Sequence, residues 1–420
     1  MTPLASRIIG RLPGPVSSPP AAAVMARLLV ALFLTAVAPT RITRADELPH
    51  DTNTRESPPA GNSTPPLKGL TSLDPTTAEA LAKSKAEFLD LNGLTSLDAD
   101  TAENLAEFEG GLCLAGLTSL DADTAKALAL SKSGCLSLLG LTRLDSATAK
   151  ALAEFKGALC LYGVTSLDAE AAKALAVFKG SGLHLDGLTA LDADTAKALA
   201  GLKAWNGQLR KLAMLDAHTA RALAEYKGYW MNLSGLTTLD AETAKGLAEF
   251  EGALIFDGLT TLDADTAQSL AGLKSRRLHL AGLTTLDADT AKALAGIKGS
   301  GLYLPGLTTL DADSAATLAA IEAWDGQLPA FTAFESPDSV AVATALTARK
   351  GPLSLPKLEK ISAKTLLALI GKEDVEIPLI DTLELIPEPD GSAADDFVIP
   401  EPFQQRQRQQ LQEQERQGQE

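Results

Sequence analysis

The chain is poor in the residues that staple, anchor or charge a surface. Three cysteines in 420 residues, Cys113, Cys135 and Cys160, are an odd count and give no sign of a disulfide framework. Aromatic residues make up 4% of the chain. The few large ones, among them Trp205, Trp230, Trp324, Tyr162 and Tyr303, read either as plugs where a loop leaves a gap or as anchors of an interface. Basic residues are outnumbered, 37 against 53 acidic, for a net charge of -16, and no local basic stripe offsets that balance. Binding to the phosphate backbone of nucleic acid is therefore excluded from the reading. The apolar run over 28–38 spans eleven residues, short of the roughly 20 that cross a bilayer, so no transmembrane span is expected in the mature chain.

What the chain has is repetition. From Leu67 to about Leu318 a unit close to L-x-L-x-G-L-T-x-L-D-A-D-T-A-K-A-L-A-x-x-K-G recurs eleven times, at a spacing of 23 or 24 residues. Its Gly-Leu step, Gly-Val once, falls at Gly69, Gly93, Gly116, Gly140, Gly163, Gly187, Gly235, Gly258, Gly282 and Gly306, with Lys211 standing in once. A fixed period of this length is the signature of a solenoid, in which each unit leans on its neighbours.

One unit can be built from its residues. In Leu89-Asp-Leu-Asn-Gly93 the leucines alternate with polar residues, which predicts a short strand. The glycine is expected to turn the chain off the strand through a conformation other residues resist. Asp98 then caps a helix that ends near Gly110, and in the first copy Pro75 follows Asp74 at the position proline favours. Ala102, Leu105 and Ala106 share the inner face of that helix. The recurrent Asp-Ala-Asp-Thr is read as helix capping, not as a calcium ladder, because a helix start lacks the flexible ring of oxygens calcium takes. The fold expected is a right-handed α/β solenoid of 23–24-residue strand-turn-helix repeats, with parallel strands on one face and short helices on the other.

The alternating leucines, the period and the strand-plus-helix unit resemble the leucine-rich repeat family. The segment Leu117-Thr-Ser-Leu-Asp121 looks more like the bacterial surface-antigen (BspA-type) variant, because the usual asparagine position is not kept. The resemblance implies recognition of a protein or a glycan at a cell surface or in an extracytoplasmic space.

The residues that break the pattern are where specificity would lie. The outward strand position reads Asp90, Cys113, Ser137, Cys160, His184, Gln208, Asn232, Ile255, His279 and Tyr303 along the stack. Tyr162, His184, Asp186, Arg210 and Asn232 are the candidate binding residues, on a strand face expected to be solvent-exposed around repeats five to eight. Cys160 beside His184, with Asp186 as orienter, is the one pair with the residue types of a thiol nucleophile and its base, or of two metal ligands. The catalytic set is otherwise missing, so a non-enzymatic scaffold without a cofactor or metal is expected. A purely structural spacer is the other alternative.

A five-repeat block also recurs whole: the stretch from Lys179-Gly-Ser-Gly-Leu-His to Ala204-Trp-Asn-Gly-Gln returns from Lys298-Gly-Ser-Gly-Leu-Tyr to Ala323-Trp-Asp-Gly-Gln. It reads as tandem duplication. Residues 1–45 carry a secretory signal whose natural start is Met25, with cleavage between Pro39 and Asp46. An extracytoplasmic location follows from that signal. Residues 46–66 are a disordered leader, 67–329 the solenoid and 330–386 degenerate repeats forming a cap. The Gln-rich, acidic tail 387–420 is expected to be disordered.

Overall fold

The computed structural model describes residues 69–297, 301–389 and 399–417. All of them belong to the compact unit Ala60–Glu420. The signal segment and the leader lie outside the described residues.

Most copies of the repeat among the described residues give a three-residue strand followed by a helix of six to nine residues. The strands β1 (Phe88–Asp90), β2 (Gly111–Cys113), β3 (Cys135–Ser137), β4 (Ala158–Cys160) and β5 (Gly182–His184) form one parallel sheet in sequential order. A second parallel sheet holds β6 (Trp230–Asn232), β7 (Ala253–Ile255), β8 (Arg277–His279) and β9 (Gly301–Tyr303). Opposite them run eleven helices, from Pro75–Ala82 to Ala312–Ala320. The α/β solenoid is therefore as expected. Its core is aliphatic: Leu89, Leu91, Leu94, Leu105 and their equivalents in later coils are buried. The leucine at 94 occupies the place that asparagine takes in the usual pattern.

Each of these eleven helix starts is held the same way. Asp192 accepts a hydrogen bond from the amide of Thr195 at 2.7 Å, and Asp263 from that of Thr266 at 2.7 Å. This is the cap read from the sequence. It pulls Asp98, Asp121 and Asp287 below the usual carboxylate range, through bonds from the following threonines. The threonines do more than close the cap. Thr148 Oγ1 donates to the carbonyl of Leu120 at 3.1 Å, Thr195 to Leu167 at 3.3 Å and Thr290 to Leu262 at 3.2 Å. Each of these acceptors sits in the preceding coil. With Thr124, Thr243 and Thr266 these threonines form a buried ladder between coils, interrupted at Ala171 and Thr219, which the sequence reading had not recognised.

The recurring glycine has a different reason from the one expected. Positive φ occurs at Gly207, Gly326 and Gly351, not at the Gly-Leu steps. At Gly163 an added Cβ would overlap the carbonyl oxygen of Leu139, and at Gly306 that of Ala281, both in the coil before. Side-chain volume is excluded there by the neighbouring backbone, so the glycine serves coil contact, not turn conformation.

The expectation of a strand at every repeat fails twice. In repeat seven Gly207 replaces the first leucine of Leu-x-Leu, and Trp205 pairs with Leu183 while Gln208 pairs with Asn232. The chain bulges between those bridges, with Gly207 at φ 71°. Trp205, 3% exposed, fills the space of the missing leucine. The same happens five repeats on, where Trp324 pairs with Leu302, Gln327 with Ser354, and Gly326 has φ 79°. The duplicated block thus carries a duplicated bulge.

Beyond the repeats, Leu353–Ser354 pairs with Val375–Glu376 and Lys360–Ser362 with Glu384–Ile386, all parallel. The tail predicted to be disordered from Pro387 is helical over Glu401–Gln417. Composition alone misleads here because Phe403 and Ile399 are buried and the Gln407 side chain accepts the Ile380 amide at 2.9 Å. Tertiary contact supplies what the segment's own apolar content lacks.

Replacing Gly163 with Ala is expected to destabilise the array by about 2 kcal/mol, because backbone must move to admit the methyl. Gly201→Ala, at a helix end where the added carbon meets nothing closer than 3.5 Å, should be neutral or stabilising by up to about 1 kcal/mol. Urea unfolding of the two variants checks this, and equal losses would overturn the close-approach account.

Candidate recognition face

The first bulge rearranges the strand face on which the candidate residues lie. It sets Asn206, one residue past the bridge of Trp205 to Leu183, beside His184 at the edge of the preceding coil. There the Asn206 amide nitrogen lies 2.9 Å from His184 Nδ1 and donates to Asp186 Oδ2 at 3.3 Å. With Nδ1 accepting that bond, the ring proton of neutral His184 sits on Nε2. The Gln208 amide closes the loop by donating to Asn206 Oδ1 at 3.2 Å. Arg210 Nε then donates to Gln208 Oε1 at 2.7 Å. His184, Asp186, Gln208 and Arg210 are thereby held in one connected array.

Burial tunes the two titratable members in opposite senses. Desolvation lowers the His184 pKa, with Asp186 acting the other way, and desolvation raises that of Asp186 against the bond from Asn206. Both shifts act against the charged forms. Tyr162 lies next to the array with its ring centroid 5.4 Å from that of His184, tilted by 38°. Leu139, one coil earlier in the same column, is 42% exposed and Tyr162 37%. An apolar edge thus borders the polar array.

The structure brings together Tyr162, His184, Asp186 and Arg210 among the candidates. It does not bring Asn232, which is 5% exposed and accepts the Ser234 amide at 2.9 Å. Asn232 is buried beside Gln208, with which it pairs, and its side chain holds a turn. The expectation that the strand-face residues are freely exposed is corrected too, since His184, Asp186 and Arg210 are half-buried. Asn206 is the member that sequence reading missed. Its signal was present in the copied Trp-Asn-Gly-Gln segment, but only the bulge shows that its side chain joins this face.

The Cys160–His184 pair does not form as a nucleophile and its base. The two stand opposite each other on β4 and β5, yet His184 Nδ1 is taken by Asn206 and Asp186 reaches Asn206 instead of orienting the imidazole. Cys160 Sγ lies 3.9 Å from Cys135 Sγ. Its thiol is pushed well up, first by the bond to Cys135 and then by burial, the reverse of an activated nucleophile. Among the described residues no group of three or more His, Cys, Asp and Glu is placed to hold a metal ion, so the pairing of Cys160 and His184 as metal ligands falls as well.

The second bulge has diverged. Tyr303 replaces His184 and stacks on His279 with centroids 4.1 Å apart, and Asp325 replaces Asn206. Burial, with Arg277 nearby, takes the His279 pKa down to about 4. Asp325 is raised by desolvation. The copy therefore lacks the amide bridge and the array it organises.

The fold is a leucine-rich-repeat-like solenoid. No family model matches the chain, and no curated protein does. Among solved structures it is similar to a leucine-rich-repeat protein of Leptospira interrogans, at 17% identity over 74% of this chain and 94% of that one, with a TM-score of 0.38. It is also similar to the structure of the Toll–Spatzle complex of Drosophila, at 14% identity over 70% of this chain and 43% of that one, TM-score 0.41. A third is the functional domain of InlJ from Listeria monocytogenes, at 17% identity over 70% and 68%, TM-score 0.28. At these scores the likenesses carry no functional conclusion.

The thiol environments give an order of reactivity. The bond from Cys160 lowers Cys135, whereas burial, Cys135 and Asp90 push Cys113 up to about 11. A limiting dose of iodoacetamide at neutral pH is expected to label Cys135 ahead of Cys113 and Cys160, as read by peptide mass mapping. Preferential labelling of Cys160 would contradict the geometry.

Proposed function

We propose that the chain is an exported, non-enzymatic scaffold that binds a protein or a cell-surface glycan through the strand face at the first bulge. The observation that carries the reading is the Asn206-centred array. Its side chains are the ones that do not repeat, they are held by hydrogen bonds before any partner arrives, and they border exposed Tyr162 and Leu139. A partner that needs one register on a periodic stack must read what is not periodic. Groups already fixed lose less side-chain freedom on binding. On the helix side Lys173, Lys197 and Arg221 repeat one position with similar chemistry. Export rests on the N-terminal signal read from the sequence. Among the described residues no helix is long and apolar enough to cross a membrane.

The test compares two triple variants. Tyr162→Ala, His184→Ala and Arg210→Ala together are expected to abolish capture of partners from the extracytoplasmic fraction and binding on a glycan array. The stability loss should be about 1 kcal/mol for each lost hydrogen bond, enough to measure and too little to unfold the array. Alanine at Lys173, Lys197 and Arg221 should leave binding intact. If the helix-side variant loses binding while the strand-face variant keeps it, recognition lies on the helices and the proposal is wrong. Retention by both would favour the spacer.

A further inference from the structure

One position at the foot of the helices carries a large apolar side chain in nearly every coil. The residue whose amide donates to the leucine carbonyl three places before it is Phe108, Phe155, Phe178, Tyr226 or Phe250 in five coils, and Leu202, Leu273, Ile297 or Ile321 in four more. Serine holds it in the first coil, as Ser84, and once inside the stack, as Ser131. The Ser131 amide donates to Leu128 at 3.0 Å, so the backbone is as in the other coils and only the side chain is missing. The aromatic residues at this position are buried, and each covers the loop that follows it. A Cβ added at Gly110, Gly180, Gly228 or Gly252 would run into the ring two residues before it. At Gly134, in the loop after Ser131, it would meet nothing within 4 Å.

A groove of about 920 Å³ opens at that place, between the helices Ala122–Ala129 and Ser146–Leu152, with Ala129, Ser131 and Gly134 in its lining. That volume lies in the range of sites that enclose a ligand group. Leu130 stands at its lip, 69% exposed. The same position is glutamate in other coils, at Glu107, Glu154, Glu225 and Glu249. The stack thus loses an apolar plug inside and gains an apolar side chain outside at a single step.

Charge narrows what fits there. Four lysines, Lys126, Lys132, Lys150 and Lys156, line the groove against two acids, Asp123 and Glu154, an excess of two positive charges in a chain of net charge -16. Glu154 is engaged by Lys179 of the next coil at 3.2 Å, and Lys132 by Glu107 at 2.6 Å. Lys126, Lys150 and Lys156 form no ion pair among the described residues. A guest with an aromatic side chain answers the missing ring, and carboxylates beside it answer the free lysines. A phosphate backbone would engage the lysines alone and leave the gap unfilled.

We propose that this groove docks an acidic segment of a partner protein, with one aromatic side chain of that segment seated over Ser131 in the place that Phe108 and Phe155 fill in the coils on either side. The segment's carboxylates meet Lys126, Lys150 and Lys156, and Leu130 packs on the guest ring. Burial of the ring supplies most of the affinity, while the lysines steer and orient the acidic chain. The groove is a second departure from the period, on the helix side, and does not depend on the strand-face array. Lys173 and Lys197 lie in later coils, outside it.

The test measures binding of a fluorescein-labelled probe peptide, Glu-Asp-Phe-Glu-Asp, to the full chain by fluorescence anisotropy. The expected result is saturable binding that weakens as salt is added, and that falls about tenfold or more when the probe's phenylalanine is replaced by alanine. Ser131→Phe rebuilds the plug of the other coils, so it should abolish binding while the urea midpoint stays or rises. Should circular dichroism show that variant misfolded, Ser131→Leu, the residue type of Leu202 and Leu273, blocks the same gap. Leu130→Glu should weaken binding about tenfold. Val177→Glu, at the same position two coils on and beside a buried Phe178, should leave it unchanged. Absence of saturable binding by the natural chain overturns the proposal, as does binding that survives a folded Ser131→Phe or Ser131→Leu. Equal losses in Leu130→Glu and Val177→Glu would reduce the effect to net charge and overturn it too. So would a single-stranded oligonucleotide that binds more tightly than the probe and is indifferent to Ser131→Phe, because the lysines would then serve phosphate and the gap nothing.

Discussion

Everything in this structure depends on how closely one coil can approach the next. At the Gly-Leu step the backbone of one coil fills the place a Cβ would take in its successor. That contact sets the spacing at which Thr195 can reach the carbonyl of Leu167 and Thr290 that of Leu262. The same spacing brings successive strands into parallel pairing over three residues each. A side chain at the glycine would separate the coils and stretch the threonine bonds and strand bonds together. The leucine core adds burial, but burial is not directional. The register comes from the polar contacts and the excluded volume.

Lys211 and the bulge at Gly207 show what happens where that constraint is relaxed. The sheet is interrupted, a tryptophan enters the core, and the Asn206 side chain joins the surface array. A uniform stack presents the same groups at every step and cannot distinguish one position from another. The bulge breaks that uniformity in one place. Its duplicate at Gly326 keeps the backbone device but replaces the amide of Asn206 by the carboxyl of Asp325 and the imidazole of His184 by the phenol of Tyr303. Duplication preserved the scaffold while the chemistry on it changed.

The thiols illustrate how topology chooses partners. Cys160 and His184 are opposite in register, the relation a period of 24 makes visible. The contact that forms is a diagonal one, from Cys160 to Cys135, since His184 is drawn away by Asn206. Competition among several hydrogen-bonding groups within reach of one another is settled by geometry of a fraction of an ångström, and column order does not carry that information.

The sequence by itself determined the repeat, its strand and helix, the aspartate caps and the leucine core, because each depends on residues a few positions apart or on a strict period. Those signals are local, and they survive without knowledge of the neighbouring coil. It also marked Tyr162, His184, Asp186 and Arg210 as departures from the pattern. Only the tertiary structure decided that the glycines serve contact and not conformation, that the threonines form a ladder, that Asn206 bridges His184 to Asp186, that Asn232 is buried and that the Gln-rich tail is helical over Glu401–Gln417. In every one of these cases the same residue is compatible with two environments, and the choice is made by an atom 20 or more positions away in the chain that only folding brings alongside.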